Sequence, residues 1–190
     1  MIKNYILFGP PGAGKGTQCK LIAQKYNLYH ISTGDLIREE QAKGTIIGKL
    51  ATELSDKGNF LPDDIVTKLV KEKVMSVTDS NGFLFDGYPR TVEQAKALDS
   101  FMHLRRTPIT SIIHIKVDDP VITERIIERG RIQNRPDDKP EIILTRIKNY
   151  NDKTLPILEY FKGRKKIVDI NGNSSVDKVF NNIETEIESI

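Results

Sequence analysis

The sequence predicts an α/β fold in which a five-stranded parallel sheet is covered by helices on both faces. Strand-like segments recur at 2–8, 28–32, 82–86, 109–117 and 166–170, each separated from the next by residues with helical spacing. That alternation builds parallel sheets. The first segment, ending in Tyr5-Ile6-Leu7-Phe8, runs directly into Gly9-Pro10-Pro11-Gly12-Ala13-Gly14-Lys15-Gly16-Thr17 and then into a helical run with Leu21 and Ile22. A strand, a glycine-rich turn and a helix in that order form the context of a phosphate-binding loop, which makes the sheet one of P-loop NTPase type. Glycines let successive N–H groups turn towards one anion. The following helix aims its unpaired N–H groups at the same place, and Lys15 adds a mobile full charge. A plain Gly/Pro surface loop leaves both end glycines and the lysine in register unexplained.

The hydroxyl that commonly follows such a lysine directly is displaced by one, because Gly16 comes first and Thr17 second. This points away from a regulatory GTPase and towards the small nucleotide kinases. No Asn-Lys-x-Asp guanine signature occurs, and the Asp-x-x-Gly match at Asp79 to Gly82 precedes a strand and reads as a turn.

The length of 190 residues suits one compact domain with small excursions. Apolar residues make up 38% and charged residues 29%, an ordinary balance for a globular enzyme. No apolar run approaches the roughly 20 residues of a membrane span, and no signal-peptide pattern opens the chain, so a cytoplasmic enzyme is expected. The single Cys19 excludes an intrachain disulfide and a multi-cysteine zinc site, and is read as an apolar filler in the first helix. His30, His103 and His114 show no ligand spacing. A net charge of +3 does not by itself argue for nucleic acid.

The second strand ends in His30-Ile31-Ser32, and Thr33-Gly34-Asp35-Leu36-Ile37-Arg38 follows. Ser32 or Thr33 caps the next helix, and a hydroxyl and an arginine one turn apart can meet a second ligand. Three helical stretches then run to about 78, divided at Gly44 and at Gly58-Asn59-Phe60-Leu61-Pro62, with Asp63 and Asp64 in the first turn of the third. This excursion is longer than a crossover needs. The strand Gly82-Phe83-Leu84-Phe85 ends in Asp86-Gly87-Tyr88-Pro89-Arg90-Thr91. Asp86 therefore stands at the carboxyl edge of the sheet, where ligands bind, and can hold waters of a magnesium ion shared with a nucleotide. Arg90 can fork onto a phosphate, and Thr91 caps the helix carrying Gln94, Ala95 and Leu98.

After the fourth strand, Asp118-Asp119-Pro120 starts a helix that carries Arg125 and Arg129. A second helix starts near Pro140, with Ile143, Ile147 and Tyr150 as its core stripe and Arg146 at the edge. Five of the ten arginines fall between 125 and 146. No aromatic residues are interleaved there for base stacking, so a polyphosphate clamp fits better than nucleic-acid binding. The last strand ends in Asn171-Gly172-Asn173, and an amphipathic helix with Val176, Val179, Phe180, Ile183 and Ile187 closes the fold.

Together these residues resemble the adenylate kinase family in its short-lid form, over essentially the whole chain. Residues 9–17 are similar to that family's phosphate loop, Ser32 to Arg38 and Asp86 to Thr91 with Gln94 to its monophosphate site, and Arg129-Gly130, Arg135, Asp137-Asp138 and Arg146 to its lid. The resemblance implies a helical NMP-binding insertion at about 33–62 and a short lid at about 130–140. It also implies reversible phosphoryl transfer from Mg-ATP to AMP by a monomer. Gly12, Ala13, Gly14, Lys15, Gly16, Thr17, Arg125, Arg129 and Gly172 would bind ATP. Thr33, Gly34, Arg38, Leu61, Val66, Gly87, Arg90, Gln94, Arg135 and Arg146 would bind AMP. Lys15, Arg90, Arg129, Arg135 and Arg146 would be the catalytic set: Lys15 on the β and γ phosphates, Arg90 with Arg38 on the AMP phosphate, and Arg129, Arg135 and Arg146 around the phosphoryl in flight. Asp86 would hold magnesium through water, with no zinc. The lid carries Gln133-Asn134 where short-lid members more often show Ser-Gly, and Pro136 follows the arginine. A UMP/CMP kinase shares nearly every motif and stands as the alternative, although it more often carries alanine at the position of Thr33 and asparagines at those of Thr91 and Gln94. A non-catalytic nucleotide switch fits the arginines less well.

Overall fold

The computed structural model describes residues 2–133, 138 and 140–190. Among them, five parallel strands form one sheet: β1 (Tyr5–Phe8), β2 (Tyr29–Ser32), β3 (Phe83–Asp86), β4 (Ser111–Lys116) and β5 (Lys166–Asn171), in the order β2-β3-β1-β4-β5. Helix α1 (Lys15–Tyr26) joins β1 to β2. Helices α2 (Thr33–Ala42), α3 (Ile46–Ser55) and α4 (Asp63–Ser76) lie between β2 and β3, broken where the glycines at 44 and 58 were expected to break them. Helix α5 (Val92–Leu104) leads to β4. Helices α6 (Asp119–Gln133) and α7 (Pro140–Asn149), a π-helical turn (Tyr150–Thr154) and the short α8 (Ile157–Phe161) precede β5, and α9 (Val176–Glu188) ends the chain.

Alternate residues of each strand feed opposite faces of the sheet, as the pleat requires. Ile6, Phe8, Phe83, Phe85 and Ile112 pack under α4 and α5 with Val70, Val74, Leu98 and Met102. Tyr5, Leu7, Leu84, Ile113 and Ile115 pack under α1 and α9 with Cys19, Ile22, Val179, Ile183 and Ile187. Both faces are thus covered, and the strands read as near-continuous apolar runs for that reason. A third, smaller cluster of Ile122, Ile126 and Ile143 joins α6 to α7.

The strand ends fall within one or two residues of the sequence expectation except at the start of β1, and Tyr150 leaves the element expected for it. β1 begins at Tyr5, not at residue 2, because the buried Asn4 leaves the ladder to tie three segments together. Its Nδ2 donates to Thr107 O and Pro108 O, its Oδ1 accepts from Phe83 N, and its own N–H reaches Thr110 Oγ1. Such a fully engaged polar group is tolerated inside a core. Tyr150, expected on the stripe of α7, opens the π-helical turn instead, where its hydroxyl lies 3.3 Å from Nε2 of the buried His114.

Candidate active site

A cleft of about 1460 Å³ opens over the carboxyl ends of the strands, the edge at which sheets of this kind take ligands. Three groups of residues meet in it. The first is the turn between β1 and α1, from which Gly12, Ala13, Gly14, Lys15, Gly16 and Thr17 all line the cleft. Gly12 has φ +80°, and a Cβ there would stand 2.8 Å from Ile122 O. Helix α6 presses against the turn so closely that only glycine fits. Lys15 Nζ donates to Gly9 O and Pro10 O, both at 2.8 Å. Burial pushes its pKa down to about 8; Asp86 opposes the fall, while Arg90, Arg129 and Arg146 add to it.

Asp86, the last residue of β3, is in register with Leu7 of β1 and Ser32 of β2. Its Oδ2 lies 3.3 Å from His30 Nε2 and 3.6 Å from where a Cβ on Gly16 would stand. A carboxylate beside a phosphate loop, with hard oxygen donors facing the cleft, fits a magnesium ion held through water.

The second group comes from α2, the entry to α4 and the turn after β3. Ser32 caps α2 by accepting from Asp35 N, which leaves Thr33 inside to donate from Oγ1 to Gly87 O at 2.8 Å. Gly87 has φ +69°, and a Cβ there would meet Thr33 Oγ1 and Arg90 Nη2 at 3.0 Å. Arg90 Nε is thereby free to reach Gly87 O at 2.8 Å. Arg38 pairs with Asp35 at 2.5 Å. Gln94 is held at both ends: Oε1 accepts from Arg90 N and Nε2 donates to Asp63 Oδ1, each at 2.7 Å. Thr91, the cap of α5, donates to the other oxygen of Asp63 at 2.6 Å. Thr33, Gly34, Arg38, Leu61, Val66, Gly87, Arg90 and Gln94 all line the cleft.

The third group stands on α6, α7 and the end of β5. Arg125 Nη1 donates to Gly172 O at 2.9 Å, and both line the cleft. Arg129 grips Asp138 through Nε and Nη2, each at 2.7 Å, and Arg146 reaches the same carboxylate at 2.5 Å. The Asp138 side chain is wholly buried. Burial works to raise its pKa, but the hydrogen bonds and charges of Arg129 and Arg146 outweigh it and hold the carboxyl below its usual range. Both arginines line the cleft as well. The structure thus gathers every expected site residue except Arg135, which lies outside the described residues, as does Asp137.

Sequence reasoning missed the work of two aspartates. Asp63 was read only as favourable in the first turn of a helix, yet it anchors Thr91 and Gln94 from α4. Asp138 joins Arg129 to Arg146. It also missed that Cys19, His30 and Asp86 converge, with donor atoms all within 4.8 Å of one another. The cue was thin: three residues on three elements, 11 and 56 positions apart.

The adenylate kinase family profile matches residues 7–166. The adenylate kinase of Flavobacterium psychrophilum is 40% identical over 188 residues, 98% of this chain and 99% of that relative. The adenylate kinase of Caulobacter sp. strain K31 is 39% identical over 187 residues, covering 98% of this chain and 99% of the relative. That of Prochlorococcus marinus is 38% identical over 187 residues, covering 98% and 100%. With its site arranged around the phosphate loop and its whole length matched in this way, the chain belongs to the adenylate kinase family.

Proposed function

We propose that this chain catalyses reversible transfer of the terminal phosphoryl group of ATP to AMP, giving two ADP. Family membership over the full chain supports the reaction class. The observation that carries it to this site is that one cleft holds a phosphate loop between two separate arginine groups, one for the acceptor and one for the phosphoryl in flight.

A phosphate oxygen of AMP attacks the γ-phosphorus while the bond from that phosphorus to the β,γ-bridging oxygen breaks, and ADP leaves. The acceptor oxygen is already anionic, so no general base is needed; positioning and charge neutralisation carry the step. Lys15 binds the outer phosphates of ATP, and the N–H groups of residues 12–17 cradle them. Arg38 and Arg90 orient the AMP phosphate as forks. Arg129 and Arg146, set at a common height by Asp138 and joined by Arg135, neutralise the equatorial oxygens of the transferring group. Arg125 and Gly172 frame the adenine of ATP. Magnesium bound with ATP, its waters held by Asp86, would supply charge neutralisation between the β and γ phosphates. The insertion at about 33–62 acts as the AMP-binding excursion and about 130–140 as a short lid, with no structural zinc in it. The enzyme works on free nucleotides as a cytoplasmic monomer, with no nucleic-acid or membrane partner.

The adenine of AMP is framed by Thr33, the backbone at Leu61, Val66, Gly87 and Gln94. A primary amide offers two N–H donors and two acceptor lone pairs. Asp63 and Arg90 N take one of each from Gln94, leaving one donor and one acceptor in a fixed orientation, the pair an adenine edge requires. A pyrimidine carries comparable groups on a base one ring smaller, so with its ribose in the same place its edge falls short of the amide, and buried polar groups left unpaired are costly. In a coupled assay with ATP and each monophosphate in turn, kcat/KM for AMP is expected to exceed that for CMP or UMP by at least about 10². Comparable values for CMP and AMP would transfer the protein to the UMP/CMP kinases, and nucleotide binding without turnover would make it a switch.

A further inference from the structure

Cys19 lies on α1 one helical turn beyond Lys15, fully buried against the sheet as a free thiol. Above it stand His30 at β2 and Asp86 at β3, whose side chains are 19% and 13% exposed and reach the cleft. Ligand atoms from the three, the Cys19 sulfur, a His30 ring nitrogen and an Asp86 carboxylate oxygen, lie within 4.8 Å of one another, and His30 Nε2 already stands 3.3 Å from Asp86 Oδ2. In tetrahedral zinc coordination, bonds of about 2.0 to 2.3 Å place ligand atoms about 3.5 Å apart. Closing the triangle asks for movements of about 1 Å, within the reach of side-chain torsions.

We propose that Cys19, His30 and Asp86 form an exchangeable inhibitory site for a thiophilic divalent cation of the zinc class. One thiolate, one imidazole and one carboxylate make a donor set suited to zinc and poorly suited to magnesium, which prefers oxygen donors throughout. The fourth position faces the cleft, so water or a nucleotide phosphate oxygen completes the tetrahedron. On binding, the Cys19 thiol gives its proton to solvent and the sulfur bonds to the metal. Burial holds the free thiol neutral, with a pKa well above its ordinary value; a coordinating metal reverses that preference. Lys15 and the cleft arginines oppose a cation here, so the site is weaker than a closed four-ligand structural centre and exchanges with solution. Inhibition rests on the function proposed above: an Asp86 bonded directly to zinc no longer holds the waters of magnesium.

Cobalt(II) added to the full-length, nucleotide-free protein is expected to produce a thiolate-to-metal charge-transfer band in the near ultraviolet. Cys19→Ser and Cys19→Ala, which keep the fold by circular dichroism and the basal activity, should both lose the band. Zinc affinity, measured by competition with a chromophoric chelator, should fall at least about tenfold in both variants, because losing a ligand costs no less than losing its outer-shell support. The zinc concentration that halves turnover at fixed Mg-ATP should rise by the same factor. His30→Gln should weaken zinc similarly with the thiolate band displaced or lost. Absence of the band in the wild type, or equal zinc affinity in wild type and both Cys19 variants, overturns the site. A band and tight zinc without any loss of turnover upholds the metal site but overturns its inhibitory role and, with it, the assignment of Asp86 to magnesium.

Discussion

Replacing Lys15 with methionine is expected to lower kcat by on the order of 10³ while the protein stays folded. Methionine keeps an unbranched side chain, one atom shorter, and removes the charge. The two carbonyls that Lys15 now satisfies, Gly9 O and Pro10 O, belong to a turn lining an open cleft, so water replaces the lost donors at little cost. The charge is itself unfavourable to the fold. With its pKa lowered to about 8 against an ordinary value of 10.5, Lys15 destabilises the folded state below pH 8, and this is relieved as pH rises from 8 to 10.5, where the unfolded chain binds the extra proton. Activity runs the opposite way. As pH rises through about 8 the free enzyme loses the cation proposed to receive the outer phosphates, so kcat/KM for Mg-ATP should fall on that limb. Lys15→Met should show no such limb, and its melting temperature at neutral pH should equal or exceed that of the wild type. A folded variant with near-normal turnover, or one that unfolds, would remove Lys15 from the role assigned to it.

Lys15 was legible in the sequence because its setting is local: a strand, a turn and a helix within a dozen residues. The alternation of strands and helices was legible for a similar reason, since each period is set by neighbours along the chain. Thr91 as the cap of α5 and Ser32 as the cap of α2 belong to the same class. What sequence reading lost depends on distant chain segments. Asp63 holds Gln94 across 31 positions, and nothing in the first turn of α4 distinguishes it from Asp64. Asn4 shortens β1 by pairing with segments about 79 and 103 positions away. Tyr150 leaves the α-helical stripe where a π-helical turn carries the chain past Arg90, whose carbonyl accepts from Thr154 Oγ1 at 2.9 Å. Histidine spacing excluded a metal cluster along the chain, but the sheet itself brings His30 beside Asp86 by pairing β2 with β3. Register, not sequence interval, makes that neighbourhood.

The arginine clamp gives the second large effect. Arg129→Ala and Arg146→Ala are each expected to lower kcat by on the order of 10² or more, by analogy with removing one preorganised electrostatic group from a transition state. The wholly buried Asp138 carboxylate makes this test separable from folding. It is gripped by two guanidiniums, with two bonds from Arg129 and one from Arg146. Removing either arginine leaves Asp138 a charged partner in the other, so the penalty of a buried, unpaired charge is avoided. Asp138→Asn works differently: it leaves both arginines in place but takes away the anion that sets their height, so it acts as a change in positioning. Under the proposed assignment of Arg38 and Arg90 to the AMP phosphate, its effect should fall more on kcat than on KM for AMP. Arg131 supplies the control. It is exposed in the last turn of α6 and does not line the cleft, although it stands only two residues from Arg129. Arg131→Ala should stay within about twofold of the wild type, the range of an exposed charge away from the reacting groups. If Arg131→Ala matches the loss at Arg129 and Arg146, the effect is the general positive field of the segment. If it does not, the effect belongs to the two guanidiniums that Asp138 aims into the cleft.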